Sequence, residues 1–211
     1  LSFFRIRAFA TINLSTLLIY GALYANFTFL ALFMQGTLGY SPLGAALIGL
    51  PTGLILTFLS TRVGTVAARI GARRFLVAGP LIMAAGLLWW LRVPATSTPW
   101  MANPADPSTL VPPLAALTDP LPSALVFGIG IALVVAPLTS TLMGSIPVRN
   151  AGLGSAINNA LSRIGSPIVV PLLFVVVNGA FYSALAGAVP GTDPNSAALR
   201  HDYVPLNPAP S

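Results

Sequence analysis

Cysteine, lysine and glutamate are missing from all 211 residues, and acidity is limited to four aspartates, Asp106, Asp119, Asp193 and Asp202. Without cysteine there are no disulfides and no thiolate metal sites, so the sequence does not bear on redox compartment. The single histidine, His201, has no companion ligands at a spacing that would hold a metal, and no metal or other cofactor is expected. Charged residues make up 7% of the chain, where a soluble domain has roughly a quarter. Such a chain could hardly cover its own surface with polar groups, so water is not its main solvent. Its formal net charge of +6 would suggest nucleic acid in a soluble protein. However, there is no basic stripe interleaved with aromatics, so no nucleic-acid partner is expected.

What is present is apolar length: 55% of the residues are hydrophobic. Crossing a bilayer as a helix takes about 20 mostly apolar residues, because every backbone group must find its partner within the segment. Five runs meet this, at about 10–34, 43–66, 75–91, 121–146 and 155–186, the last with its apolar part from about Ile164 and an amphipathic lead-in, "GSAINNALSRIG". They are continuous and too long for the alternating segments of a transmembrane barrel. The chain therefore reads as an all-α polytopic membrane protein whose first partner is the lipid bilayer. Between the third and fourth runs, 92–120 is proline-rich and expected to be an external loop; 189–211 is expected to be an external tail of the same character.

The arginines orient these crossings. Arg5, Arg7, Arg62, Arg69, Arg73, Arg74, Arg149 and Arg163 fall on or near one side, and Arg92 and Arg200 on the other. Arginine-rich short loops stay cytoplasmic, which sets "GTVAARIGARR" (Gly64 to Arg74) inside and all four aspartates outside. Leu1 is not an initiator methionine and no signal-peptide cleavage pattern follows it, so the chain is expected to begin inside a longer protein.

No predicted span contains Asp or Glu, which leaves Arg163 as the nearest thing to an intramembrane charge. It is expected near the inner interface, either as a snorkelling anchor or as part of a cytoplasmic gate. Small residues read as helix packing: Gly49 and Gly53 form a G-x-x-x-G pair, and Gly165 belongs with them. Pro51, Pro137, Pro167 and Pro171 remove backbone bonds and are expected to kink their helices. In the first span Asn13, Tyr20, Tyr24, Thr28 and Gln35 follow one another at spacings of 7, 4, 4 and 7. At 3.6 residues per turn this makes one stripe under about a quarter-turn wide, with Asn26 nearly opposite. Donors and acceptors on such a stripe need a wet cavity or interhelical hydrogen bonds. Cavity lining and simple packing, with Gln35 as an interfacial anchor, both remain open.

Several motifs carry a resemblance. "FRIRAFATINLSTLLIYGALYANFTFLALFMQGTLGYSPLGAALIGLPTGL", with Gln35 ending a helix, "LGYSP" at Leu38 to Pro42, and Pro51 and Gly53 beyond, resembles the start of the C-terminal bundle of a major facilitator superfamily drug:proton antiporter of the fourteen-helix EmrB/QacA type. "GTVAARIGARR" is similar to a second copy of the loop signature G-x-x-x-D-R-x-G-R-R. Gly64, Arg69, Gly71, Arg73 and Arg74 match it, and Ala68 stands where the signature has Asp. That replacement removes the carboxylate a gate could use and leaves topology as the role of these arginines. The run from Gly152 through Ser155, Asn158 or Asn159 and Arg163 to Gly165 resembles a later helix of the same bundle.

The resemblance implies five transmembrane helices of a six-helix major facilitator C-terminal bundle, in a multi-pass protein of the plasma (inner) membrane. It also implies a missing N-terminal helical bundle as partner, a small-molecule substrate, and a proton as coupling ion. The function implied is proton-coupled efflux of amphipathic compounds by alternating access. The rival is a polytopic membrane protein that does not transport, either an assembly or sensor module or an inactive remnant.

Overall fold

The computed structural model describes residues 5–188, 193 and 196–206; the rest of the expected tail, and residues 1–4, lie outside the described residues. Seven α-helices follow in order: α1 Arg7–Leu32, α2 Pro42–Ile70, α3 Ala72–Trp89, α4 Leu114–Thr118, α5 Pro120–Gly144, α6 Ala151–Ala188 and α7 Ala197–Asp202, with no named strand among the described residues. A wider π-helical turn, Phe33–Thr37, prolongs α1. Five of these helices are long and apolar enough to cross a membrane: α1 with its π turn, α2, α3 with its last turn, α5 and α6. The helices outrun the apolar stretches, most of all at 64–74. There α2 continues to Ile70 and α3 resumes at Ala72, with only Gly71 between them. Gly71 has φ +94°, a backbone region open to glycine and strained for other residues. The amphipathic lead-in is continuous with the fifth apolar run, so α6 starts at Ala151.

Contacts between helices fix their directions. Gly128 packs on Thr52, and Gly64 on Ala136, so α2 and α5 run parallel. Gly79 packs on Val134, and Gly86 on Phe127, so α3 and α5 run antiparallel. Phe9 meets Gly154, and Gly21 meets Gly165 and Val169, so α1 and α6 run parallel. The arginine-rich end of the bundle is therefore formed by the starts of α1, α3 and α6 and the ends of α2 and α5. The loop end holds 92–120 and α7.

The central helix is α5: 56% of its most apolar window is buried, against 17% or less in every other span. It carries the main core, in which Phe127, Ile131, Val134, Leu138 and Leu142 meet Phe9, Ile12 and Met83. Because lipid is as apolar as leucine, such contacts gain little by leaving it, and close approach of backbones must hold the helices together. Gly130 allows that approach, since a Cβ there would lie 2.6 Å from the Met83 backbone nitrogen and 2.8 Å from the Gly79 carbonyl oxygen. Two hydroxyls add bonds. Thr52 Oγ1 donates to the Ala124 carbonyl (2.8 Å), and Ser123 Oγ to the Gly86 carbonyl (2.7 Å).

The pair Gly49 and Gly53 departs from its expected packing role. A Cβ at either would meet nothing within 4 Å, because the face of α2 that packs on α5 carries Thr52 instead. Gly165 does pack closely, with its Cβ position 2.8 Å from the Leu17 carbonyl oxygen. Helices α2, α5 and α6 run on through Pro51, Pro137, Pro167 and Pro171. In α5 the carbonyl of Pro137 accepts from Ser140 Oγ (3.0 Å) and Thr141 Oγ1 (2.7 Å).

The segment 92–120 is more ordered than its prolines suggest. Trp100, Val93, Ala102 and Ala116 bury against Met34, Leu38, Tyr40, Ile48 and Ala124 in a second core at the loop end. Ser41 clasps it: its Oγ donates to the Ala102 carbonyl (2.8 Å) while accepting from the Gly44 N–H (3.1 Å) as the cap of α2. The Trp100 indole N–H donates to the Thr109 carbonyl (2.8 Å), and that of Trp89 to the Asp119 carbonyl (3.1 Å). Buried beneath this cap, the Tyr40 hydroxyl has no hydrogen-bond partner among the described residues. Burial first, and the nearby Asp119 charge second, push its phenol above the ordinary 10.0. On α7, Arg200 lies over the Tyr182 ring (5.1 Å), and the Tyr182 hydroxyl donates to the Tyr203 carbonyl (2.8 Å), folding 196–206 back onto α6.

The glycine geometry gives a contrast that melting can read. Gly130→Ala presses a methyl group against backbone that cannot yield and is expected to destabilise the protein by about 1–3 kcal/mol. Gly53→Ala fills open space and is expected to be neutral or to gain up to about 1 kcal/mol of helix propensity. Thermal unfolding of both variants in detergent checks this. Equal melting would mean that α3 and α5 are not in backbone contact at Gly130.

Candidate functional site

The polar stripe of α1 does not form one wall. Asn13 is 1% exposed and Thr16 0%, both shut in where α1 meets α6. Thr16 Oγ1 donates to Asn158 Oδ1 (2.7 Å), while Asn13 Nδ2 donates back to the Phe9 carbonyl (2.9 Å). The Asn13 Oδ1 is buried with no hydrogen-bond partner among the described residues. Asn13 therefore departs from the cavity-lining expectation, because the stripe passes beneath α6 at this level.

Higher up, the stripe emerges. Tyr20 is half-buried, Tyr24 is 38% exposed, and Thr28 and Gln35 are exposed. The Tyr20 and Tyr24 rings lie 6.4 Å apart at 44°. Thr28 and Gln35 line a cavity of about 470 Å³ together with Ala31, Leu32, Gly36 and Leu206. The reason is a crossing. Near the arginine-rich end α6 covers the Asn13–Thr16 face of α1, whereas farther along it packs on Gly21 and stacks Phe174 against Phe29. The face bearing Tyr24, Thr28 and Gln35 is left open toward the loop end.

A second, apolar groove of about 420 Å³ went unnoticed in the sequence. Its walls include Ala22 and Phe29 of α1, Leu87 and Trp90 at the end of α3, and Leu173 and Val177 of α6. Asn26 lies within it, and Phe33 meets Trp90 edge-on at 5.7 Å. The buried Trp90 indole N–H has no acceptor among the described residues. Asn26, a polar residue on an otherwise apolar face, was the sequence signal for it.

At the opposite end, a Cβ at Gly64 would lie 3.2 Å from the Ala136 side chain, and Arg69, Arg73 and Arg74 are exposed around Gly71. Arg69, in the last turn of α2, favours the negative end of that helix. Arg73 and Arg74, in the first turn of α3, oppose the positive end. Their placement is thus not explained by helix stability.

Arg163 stands well along α6 from its start. Gly154 already packs on Ile146, just past the end of α5, and Arg163 lies nine residues further along α6, about 13 Å at 1.5 Å per residue. Two residues beyond it Gly165 packs on Gly21, near the middle of the 31-residue span Arg7–Thr37. Arg163 is exposed on α6, two residues before this contact.

Five long apolar helices, packed by glycine and hydroxyl contacts around a buried α5, define an all-α, multi-pass membrane protein. The chain belongs to the Major Facilitator Superfamily, a family of membrane transporters, whose model matches residues 1–170. It is similar to the puromycin resistance protein pur8 of Streptomyces alboniger, at 31% identity over 82% of this chain and 31% of that protein. The multidrug resistance protein Stp of Mycobacterium tuberculosis is 28% identical over 80% of this chain and 28% of its own length. The cephamycin export protein CmcT of Amycolatopsis lactamdurans is 30% identical over 78% of this chain and 30% of its own. The chain thus spans about a third of the length of these relatives. No solved structure matches it.

The contact between α1 and α6 can be tested directly. Thr16→Val removes the bond to Asn158 and is expected to lower stability by about 0.6 kcal/mol, the average for such bonds in membranes. Asn13→Leu removes a buried acceptor that has no donor among the described residues and is expected to raise stability by up to about 1 kcal/mol. Melting of the two variants in detergent reads both signs. A large loss in Asn13→Leu would show that Oδ1 has a partner after all.

Proposed function

We propose that this chain is part of a secondary active transporter that exports drugs or other amphipathic compounds from the cell in exchange for protons. The observation that carries the reading is the similarity of four-fifths of the chain to proteins named for puromycin resistance, multidrug resistance and cephamycin export. The α1–α6 pair supports it. The pair is shut at Thr16 and Asn158 and open at Tyr24, Thr28 and Gln35, as one half of an alternating-access cleft would be when sealed at one end. Tyr20 and Tyr24 offer ring faces to an organic cation, contacts on the order of 0.5 to 2 kcal/mol each. The described spans contain no carboxylate, so in this reading the proton is carried by the rest of the protein, and the chain acts as a binding and gating wall, not as an enzyme.

Transport of a fluorescent cation by the full-length protein in proteoliposomes, with and without a pH gradient, tests this. Transport that ignores the gradient, or no transport at all, would overturn it. Tyr20→Ala and Tyr24→Ala are expected to narrow the range of exported compounds, with rates falling about three- to thirtyfold for cationic ones, given cation–π contacts of this size. The Phe variants, which keep the ring, are expected to lose less. If both Ala variants export every compound at the parental rate per folded molecule, the tyrosines are packing only.

We also place the arginine-rich end in the cytoplasm of a plasma membrane, on the distribution of arginines between the ends, seven against two with Arg163 set apart. Val148 and Thr96 are exposed at opposite ends of the bundle. Cysteines placed there, in full-length protein freed of other cysteines, are expected to react with an impermeant maleimide from inside and outside respectively. Labelling of Val148→Cys in intact cells would invert the orientation.

A further inference from the structure

We propose that Arg163 forms an ion pair inside the membrane with an Asp or Glu carboxylate supplied by a part of the full-length protein outside residues 1–211. This carboxylate is seated against the face of α6 that carries Asn159 and Arg163. The first argument is depth. Arg163 lies about 13 Å along α6 from the level where Gly154 meets Ile146, and it is 25 residues short of Ala188, about 37 Å from the loop end of α6. Both distances are longer than an arginine side chain, so the guanidinium stays beside the bundle and reaches neither end of α6.

The second argument is direction. Gly154, Asn158 and Gly165 face α1, and Ile157 packs on the central core. Arg163 is two residues from Gly165, about 200° around the helix, so it points away from α1, and its exposure agrees. Ile164, Ile168 and Val175 make a separate exposed apolar stripe on α6, of the kind that suits lipid. Asn159, Arg163 and Pro167, all exposed, make a polar one that does not. Pro167 adds to this polarity, because its missing N–H leaves the Arg163 carbonyl without its usual helical donor.

The third argument is charge. A cation within a span is compensated by a partner or by water, and no ion pair to Arg163 forms among the described residues. The four aspartates cannot reach it: Asp106 and Asp119 precede α5 at the loop end, and Asp193 and Asp202 follow α6. The relatives are about three times the length of this chain, so most of such a protein is available to face this stripe. A carboxylate, with two acceptor oxygens matching the guanidinium fork, is the group that fits.

The transport arm of the test rests on the transporter reading, whereas melting does not, so the two can fail separately. In full-length protein, Arg163→Gln is expected to lower the melting temperature and cut transport per folded molecule about tenfold, as when one member of a poorly hydrated ion pair is removed; Arg163→Lys is expected to retain more of both. Revertants of Arg163→Glu are expected to carry Asp or Glu changed to Lys or Arg in a span outside residues 1–211, and this double swap is expected to restore melting as well.

If Arg163→Glu does not reach the membrane, Arg163→Cys takes its place. Recovery with a methanethiosulfonate that adds an ammonium group, but not with one that adds a sulfonate, supports the pair. Three results would overturn it: Arg163→Gln matching the parent in melting and transport, recovery with both reagents or with neither, or a loss confined to compounds that themselves carry a carboxylate, which would make the substrate the partner.

Discussion

A helix in lipid must satisfy its backbone by itself and gains little by burying leucine against leucine, so helices can be held together only by close packing and a few polar bonds. This constraint explains why α5 is built as it is. Gly128 and Gly130 admit the backbones of α2 and α3, and Ser123 and the Ala124 carbonyl bond to α3 and α2 respectively. The bulky side chains Phe127, Ile131 and Val134 fill what remains. A helix that touches two neighbours at backbone distance has little open face left. The two cavities described above lie along α1.

The first helix has the opposite character. One side of it meets α6 through glycine, with Gly21 against Gly165. The other carries polar residues whose surroundings change along its length, from Asn13 sealed in the bundle to Gln35 in the open. The buried Oδ1 of Asn13 is a local cost that the packing does not repay. Such costs concentrate where a protein must change its contacts. The same holds for the Trp90 indole beside the apolar groove.

Much of this architecture was legible in the sequence, because the lipid constraint acts on continuous stretches of chain. The five spans followed from run length, and the parallel course of α1 and α6 follows once five crossings alternate. Contacts between distant segments were less legible. Gly49 and Gly53 have the spacing of a packing motif, but periodicity cannot say which face meets a neighbour, and it is Thr52 that faces α5. Asn13 shared the period of Tyr20 and Tyr24, but the crossing of α6 over α1, invisible to a helical wheel, separates them. Prolines in 92–120 marked turns correctly and concealed how Trp100 and Ser41 close that segment onto the bundle.

The single residue between α2 and α3 has a mechanical side. A link one glycine long cannot stretch, so the arginine-bearing tips of these two helices stay within a few ångströms of each other whatever the rest of the protein does. At the far end the Trp100 segment, held by Ser41 and leading into α5, ties the same helices again. Helices α2, α3 and α5 thus form a tripod bound at head and foot, and α1 and α6 a separate strut leaning on it. In such a frame, displacement concentrates at the joint between strut and tripod, and both openings along α1 border the strut that would move.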